Sequence, residues 1–153
     1  MLKISSQEEF GLRFLLQLAK AAGDEVSLSE IAQEEGVSIT YVRKIFQILR
    51  IGGLVKASLG SNAGYALTRP PADINLKEVF DILKTTDHDF TCNSFTGNLE
   101  ICAHHSGCSV RPLMSLLTQK VNDFLASINL SQLVKEEAAV QSYLRTLTLT
   151  HSN

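Results

Sequence analysis

The 153-residue chain has three cysteines, and all of them fall in one stretch, "CNSFTGNLEICAHHSGC", from Cys92 to Cys108. An odd number cannot pair completely into internal disulfides. Nine residues separate Cys92 from Cys102, and five separate Cys102 from Cys108. Zinc sites favour cysteine pairs roughly two to four residues apart, and no such pair is present. The wider spacing suits a loop that wraps a larger object. Thiolates are the preferred ligands of iron–sulfur clusters, which commonly take four protein donors. Three cysteines would then leave one place for a different residue, and His104 and His105 inside the stretch carry imidazole nitrogens that could fill it. Either a [2Fe–2S] or a [4Fe–4S] cluster fits such a donor set. Three plain reduced thiols, buried for packing, are the alternative these residues leave open.

Whatever the stretch holds must be mounted on something folded. With 44% hydrophobic and 20% charged residues the chain reads as a globular protein. Its apolar segments are all interrupted well short of the roughly 20 residues of a membrane span, and "MLKISSQEEFGLR" lacks the pattern of a signal peptide. The expectation is a cytoplasmic protein with no membrane partner, where clustered cysteines serve metal or redox chemistry. No phosphate-binding glycine loop and no constellation of catalytic residues is visible, so an enzyme is not expected.

Hydrophobic periodicity predicts a helix from about Ser5 to Ala22, carried by Phe10, Leu12, Phe14, Leu15, Leu18 and Ala19. Ser27 stands three residues before Glu30, a capping box that starts a short helix ending near Gly36. A further helix spans about Ile39 to Ile51, with Val42, Ile45, Phe46 and Leu49 on one face, and Gly52–Gly53 stop it. "LVKASLG" and "GYALTR" read as two short strands joined by a flexible tip. After "PPADINLKEVFDILK", an amphipathic helix with Asp73 or Asn75 as its cap, comes the cysteine stretch. Leu113, Leu117, Val121, Phe124 and Ile128 then form the apolar stripe of a long helix, suited to a two-fold interface. The tail "AAVQSYLRTLTLTHSN" offers no motif.

Two short helices meeting at "EEGVS", then a glycine-tipped hairpin, make the plan of a winged helix-turn-helix. Ala32 permits close helix packing, and Gly36 can take the left-handed turn. If Val42, Ile45, Phe46 and Leu49 face the core, then Thr40, Arg43, Lys44 and Gln47 project outward, where such side chains reach phosphates and base edges. Lys56 to Asn62 would lie along the DNA backbone or in the minor groove. The net charge of -2 does not oppose this. Between Val37 and Pro71 stand Arg43, Lys44, Arg50, Lys56 and Arg69 with no Asp or Glu, and phosphate contacts are local.

Over nearly its whole length, from "SLSEIAQEEGVSITYVRKIFQILRIGGLVKASLGSNAGYALTRPPADINLKEV" through the cysteine loop to "INLSQLV", the chain resembles the Rrf-two family of bacterial winged-helix transcription regulators. That family takes in IscR-, NsrR- and CymR-like proteins. The resemblance implies a homodimer on a palindromic double-stranded DNA operator. It carries DNA contacts onto Ser38, Thr40, Tyr41, Arg43 and Lys44, and onto the wing near Ser58–Gly60. Leu59 stands where relatives usually carry an arginine before the wing glycines, so a minor-groove arginine is missing there. Cluster-binding members carry three cysteines in this loop. The five-residue second interval matches theirs, while the first is longer than their usual five. Where IscR-like members place a histidine ligand, three residues after the third cysteine, this chain has Arg111. NsrR-like members instead use a carboxylate from the first helix of the partner subunit, which falls on Glu9, with Glu8 adjacent. Glu9 and the His104/His105 pair therefore stand as the two candidates for the fourth ligand.

The expected architecture is mainly α, a winged helix-turn-helix with a small β-hairpin wing and a long C-terminal dimerisation helix. The organisation expected is a DNA-binding domain over 1–85, a cluster-binding loop over 86–110, a dimerisation helix and following segment over 111–140, and a tail over 141–153. The expected function is a dimeric DNA-binding regulator that senses iron, redox state, oxygen or nitric oxide through a cluster. The alternatives are a cluster-free repressor controlled by a protein or metabolite partner, and a thiol/disulfide switch.

Overall fold

In the computed structural model, residues 4–58, 64–84 and 108–150 are described, the last three of these for their backbone only. Helix α1 runs Ser6–Lys20, α2 Leu28–Glu35 and α3 Ile39–Ile51. Strands β1 (Val55–Ala57) and β2 (Tyr65–Leu67) follow, then a 3-10 turn at Pro71–Asp73 and α4 over Leu76–Leu83. Beyond residues 85–107 come α5 (Val110–Ala126), α6 (Leu130–Leu133) and α7 (Glu137–Thr150). The described chain is thus mainly helical with one two-stranded antiparallel hairpin, as the sequence led us to expect.

Local chemistry sets the helix starts. Ser5 and Glu8 form a capping box at α1, the Ser5 N–H donating to the Glu8 carboxylate at 2.7 Å. Ser27 and Glu30 repeat it at α2, with the Glu30 N–H on the Ser27 hydroxyl at 3.2 Å and the Ser27 N–H on Glu30 at 2.8 Å. The Ser27 N–H, and after it the Ser27 hydroxyl, hold the Glu30 carboxyl below its ordinary value. Gly36 ends α2 at φ 66°, in the left-handed region that a glycine reaches without strain. Of the two candidate caps for α4, Asn75 serves, accepting from the Glu78 N–H at 3.0 Å.

The core gathers the apolar faces of these elements. Phe14, Leu15, Leu18, Ile31, Val42, Ile45, Phe46 and Leu49 are buried, joined by Leu54, Val79 and Leu83. Phe14 stacks on Phe46 at 5.9 Å, and Phe46 meets Tyr65 of β2 at 4.7 Å. Gly11 brings α1 against α4 so closely that a Cβ there would lie 2.4 Å from a Leu83 methyl. The hairpin is short, pairing Val55 with Leu67, Lys56 with Ala66 and Ala57 with Tyr65. A bridge between Val26 and Tyr65 ties it to the start of α2.

Two expectations about the C-terminal part change. Ile128 does not continue the α5 stripe. It lies past the helix end and is 2% exposed, its carbonyl accepting from the Leu76 N–H at 2.8 Å. With the Leu130 N–H donating to the Ile74 carbonyl at 3.0 Å, this stitches the chain after α5 to the chain before α4. The tail, in which no element was foreseen, forms α7, whose Leu144 and Leu147 pack against the core.

Helix α5 is unusual in having no buried residue along its 17 positions. Leu125 packs partly on the core, while Leu113, Leu117 and Phe124 share another side and are 54%, 46% and 39% exposed. Val110 and Leu116 flank them and are equally open. The apolar pattern of α5 therefore serves two faces, of which one is covered within the chain.

Candidate nucleic-acid interface and metal donors

Helix α3 presents its outer side as a surface of one electrical sign. Its sequence, ITYVRKIFQILRI, holds no acid, and Val42, Ile45, Phe46 and Leu49 anchor it inward as expected. Thr40, Arg43, Lys44 and Gln47 are all exposed. Among the described residues, Arg43, Lys44 and Lys56 meet no carboxylate, whereas Arg13, Arg69 and Lys77 each do. Unneutralised guanidinium and ammonium groups on one face are what a phosphate backbone requires. Ser38 caps α3, its hydroxyl accepting from the Tyr41 N–H at 3.2 Å. Tyr41 is half-buried, edge-on to Phe10 at 5.7 Å, and burial raises its phenol above the ordinary value, so it stays a neutral donor.

Lys56 projects from β1 and is exposed. Ser58 closes the hairpin base, its hydroxyl donating to the Gly64 carbonyl at 3.2 Å and accepting from the Gly64 N–H at 3.0 Å. Gly60 and Leu59 lie outside the described residues. The exposed face of α3 also takes in Ile39 and Arg50, which the sequence reading left out of the interface. Their angular positions on the helix would have included them.

Of the expected metal donors, Cys92, Cys102, His104 and His105 lie outside the described residues. Cys108 is a half-buried free thiol two residues ahead of α5. Among the described residues no group of three or more His, Cys, Asp or Glu side chains is placed to hold a metal. The two candidate carboxylates of α1 differ sharply. Glu8 is buried and committed to the capping box with Ser5. Glu9 is exposed and, among the described residues, pairs with Arg13, at 2.9 Å along one helix turn. Arg13 in turn reaches Glu35 at the end of α2 at 3.4 Å, and Gln17 donates to the same carboxylate at 2.6 Å. The pull of Glu9, then of Glu35, raises the Arg13 guanidinium above its ordinary value. At its other end α1 is tied to the approach to the cysteine stretch, where Gln7 donates to the Leu83 carbonyl at 2.8 Å.

The model of the Rrf2 family, described as an iron-dependent transcriptional regulator, matches residues 4–136. The chain belongs to the Rrf2 family of transcriptional regulators. IscR of Xenorhabdus nematophila, an HTH-type transcriptional regulator, is 27% identical over 137 residues, 89% of this chain and 81% of that protein. Among solved structures, IscR of T. potens superimposes with a TM-score of 0.69 at 26% identity over 88% of each chain. CymR of B. subtilis, the global cysteine regulator, does so with a TM-score of 0.61 at 27% identity, over 88% of this chain and 97% of that one. The winged-helix fold and the regulatory class of this Rrf2-family chain follow from these likenesses. Its helix α7 begins one residue beyond the family match. No helix of the described residues is long and apolar enough to cross a membrane.

Proposed function

We propose that this chain works as a homodimer on a palindromic operator, with operator affinity set by an iron–sulfur cluster on Cys92, Cys102, Cys108 and one non-cysteine donor. The observation that carries the DNA part is the acid-free outer face of α3, where Thr40, Arg43, Lys44 and Gln47 stand exposed and Arg43 and Lys44 meet no carboxylate among the described residues. The residues that would touch DNA are Ser38, Thr40, Tyr41, Arg43, Lys44 and Gln47 on α3, with Lys56, Ser58 and Gly60 on the hairpin. The outward apolar side of α5 supplies the two-fold contact.

The donor chemistry fits a cluster. Three thiols with a carboxylate or imidazole make a mixed set, and family members described as iron-dependent share this chain's plan. When bound, such a cluster supplies a redox-active centre, and a non-thiolate donor leaves it open to oxidants, nitric oxide or exchange. Glu9 is the better placed of the two α1 carboxylates, because Glu8 is spent on capping. To act as donor across the dimer, Glu9 leaves Arg13, and Arg13 then has only Glu35 to pair with. Glu35 immediately precedes Gly36, so this exchange reaches the turn that leads from α2 into the recognition helix.

Iron and acid-labile sulfide assays on anaerobically purified protein test the cluster. Colourless protein with neither would remove it and favour the reading that the likeness to CymR supports, regulation without a cluster or by the thiols themselves. A Cys102→Ser variant is expected to lose cluster content. A Glu9→Ala variant is expected to change its spectrum and shorten its lifetime, and an unchanged spectrum would transfer the role to His104 or His105.

A further inference from the structure

We propose that Ile39 reads the methyl group of a thymine in the major groove, beside a guanine read by Arg43. The inference rests on the DNA-binding reading above and assigns one base-level specificity within it. Ile39 is the first residue of α3 and is 40% exposed, although it is among the most apolar side chains of the helix-turn-helix. Its chain neighbours are polar and exposed, Ser38 capping the helix start and Thr40 following it. In this motif the N-terminal residues of the recognition helix contact base edges. An exposed isoleucine there faces the groove floor rather than the phosphates.

The only apolar group the major groove offers is the thymine methyl, which pairs with aliphatic side chains. Successive helix residues turn by about 100°, so Ile39 and Arg43 lie within roughly 40° of each other on the exposed side. They stand four residues apart, about 6 Å along the axis, against about 3.4 Å per base step, and so address base pairs one or two steps apart. Arg43 meets no carboxylate among the described residues, which leaves its fork free for the O6 and N7 of guanine. Ile39 and Arg43 together thus select a thymine with a guanine close by in each half-site.

The test uses the full chain and a DNA sequence selected by that chain from a random pool. Each thymine of the selected half-site is replaced in turn by deoxyuridine, which removes only the methyl. One methyl group is worth about fourfold in affinity, so one position per half-site is expected to weaken binding about fourfold, and about fifteenfold when both half-sites are changed. Ile39→Ala is expected to bind the thymine and deoxyuridine sequences equally, and the exposed first-turn position tolerates alanine. Arg43→Ala is expected to lose the guanine preference while keeping the deoxyuridine effect. Insensitivity of the unaltered protein to every deoxyuridine overturns the assignment. A thymine dependence that survives Ile39→Ala overturns it too, and gives the methyl contact to Thr40. Failure to enrich any sequence overturns the operator reading itself, an outcome distinct from both.

Discussion

Replacing Leu117 of α5 by aspartate separates a dimerisation helix from a helix that merely lies on its own core. Five apolar side chains of α5 are about half exposed, Val110, Leu113, Leu116, Leu117 and Phe124. Fully burying such a side chain contributes about 1.5–3 kcal/mol, so covering the open half of each contributes about 1 kcal/mol. Two copies meeting on this face gain roughly 10 kcal/mol, against an association cost on the order of 4–15 kcal/mol. At the low end of that cost about 6 kcal/mol is left, a dissociation constant of tens of micromolar from this face alone, so the margin is small. Leu117→Asp removes about 1 kcal/mol from each copy and brings two carboxylates to one apolar contact. The transfer loss alone raises the dimer dissociation constant about 30-fold, and the two charges carry it toward 1,000-fold. Sedimentation velocity across a concentration series reads this directly, with far-UV circular dichroism confirming that the helices persist. A Leu117→Asp protein that sediments as an unweakened dimer would refute the assignment of this face. Unchanged folding with loss of the dimer is expected, because Leu117 is not part of the core.

Three further outcomes follow from single contacts. Gly11→Ala is expected to lower the free energy of unfolding by about 1–2 kcal/mol in urea titration, because overpacking against buried Leu83 outweighs the roughly 1 kcal/mol of helix propensity that alanine gains. Ser27→Ala is expected to cost about 1 kcal/mol by loss of the α2 cap. It also lessens a pH dependence: the Glu30 carboxyl is held below its ordinary value first by the Ser27 N–H, which alanine keeps, and then by the Ser27 hydroxyl, and the hydroxyl's part is whole above the ordinary value and is lost as pH falls through the lower folded value. Acid titrations of the two proteins should therefore draw closer at low pH without meeting, because the Ser27 hydroxyl still accepts from the Glu30 N–H. Lys44→Ala is expected to weaken operator binding uniformly across sequences and to reduce the salt slope by about one, as measured by fluorescence anisotropy in a salt series.

The parts of the fold written in local chemistry were legible before any coordinates. Ser27 and Glu30 announce a helix start, Gly36 a left-handed turn, and the spacing of Val42, Ile45, Phe46 and Leu49 an inward face. Each acts over a few residues, which is the range a linear pattern reports. What depends on distant partners was hidden. Nothing near Gly11 says that it must admit Leu83, and nothing near Gln7 says that its amide will hold the Leu83 carbonyl. The two-sided apolar pattern of α5 was read as one stripe, because periodicity counts apolar residues without saying which neighbour covers them. The segment from Glu137 carries caps and apolar spacing too weak to stand out, and its helix gains definition from Leu144 and Leu147 meeting the core. At the candidate site, the types of Glu8 and Glu9 were equivalent. Burial and capping of Glu8, against exposure of Glu9 beside Arg13, separate them in the fold.

The backbone stitch between Ile74–Leu76 and Ile128–Leu130 closes the base of the excursion from α4 to α5, of which α4 itself stays in the core. Loop closure costs only about 0.6 kcal/mol for each doubling of length, so a few residues added to an excursion of roughly 50 cost less than about 0.1 kcal/mol. The nine-residue interval between Cys92 and Cys102 thus costs the DNA-reading body almost nothing. Cysteine spacing can therefore change at almost no cost to the packing of α1, α3 and α4 on which the exposed face of α3 rests.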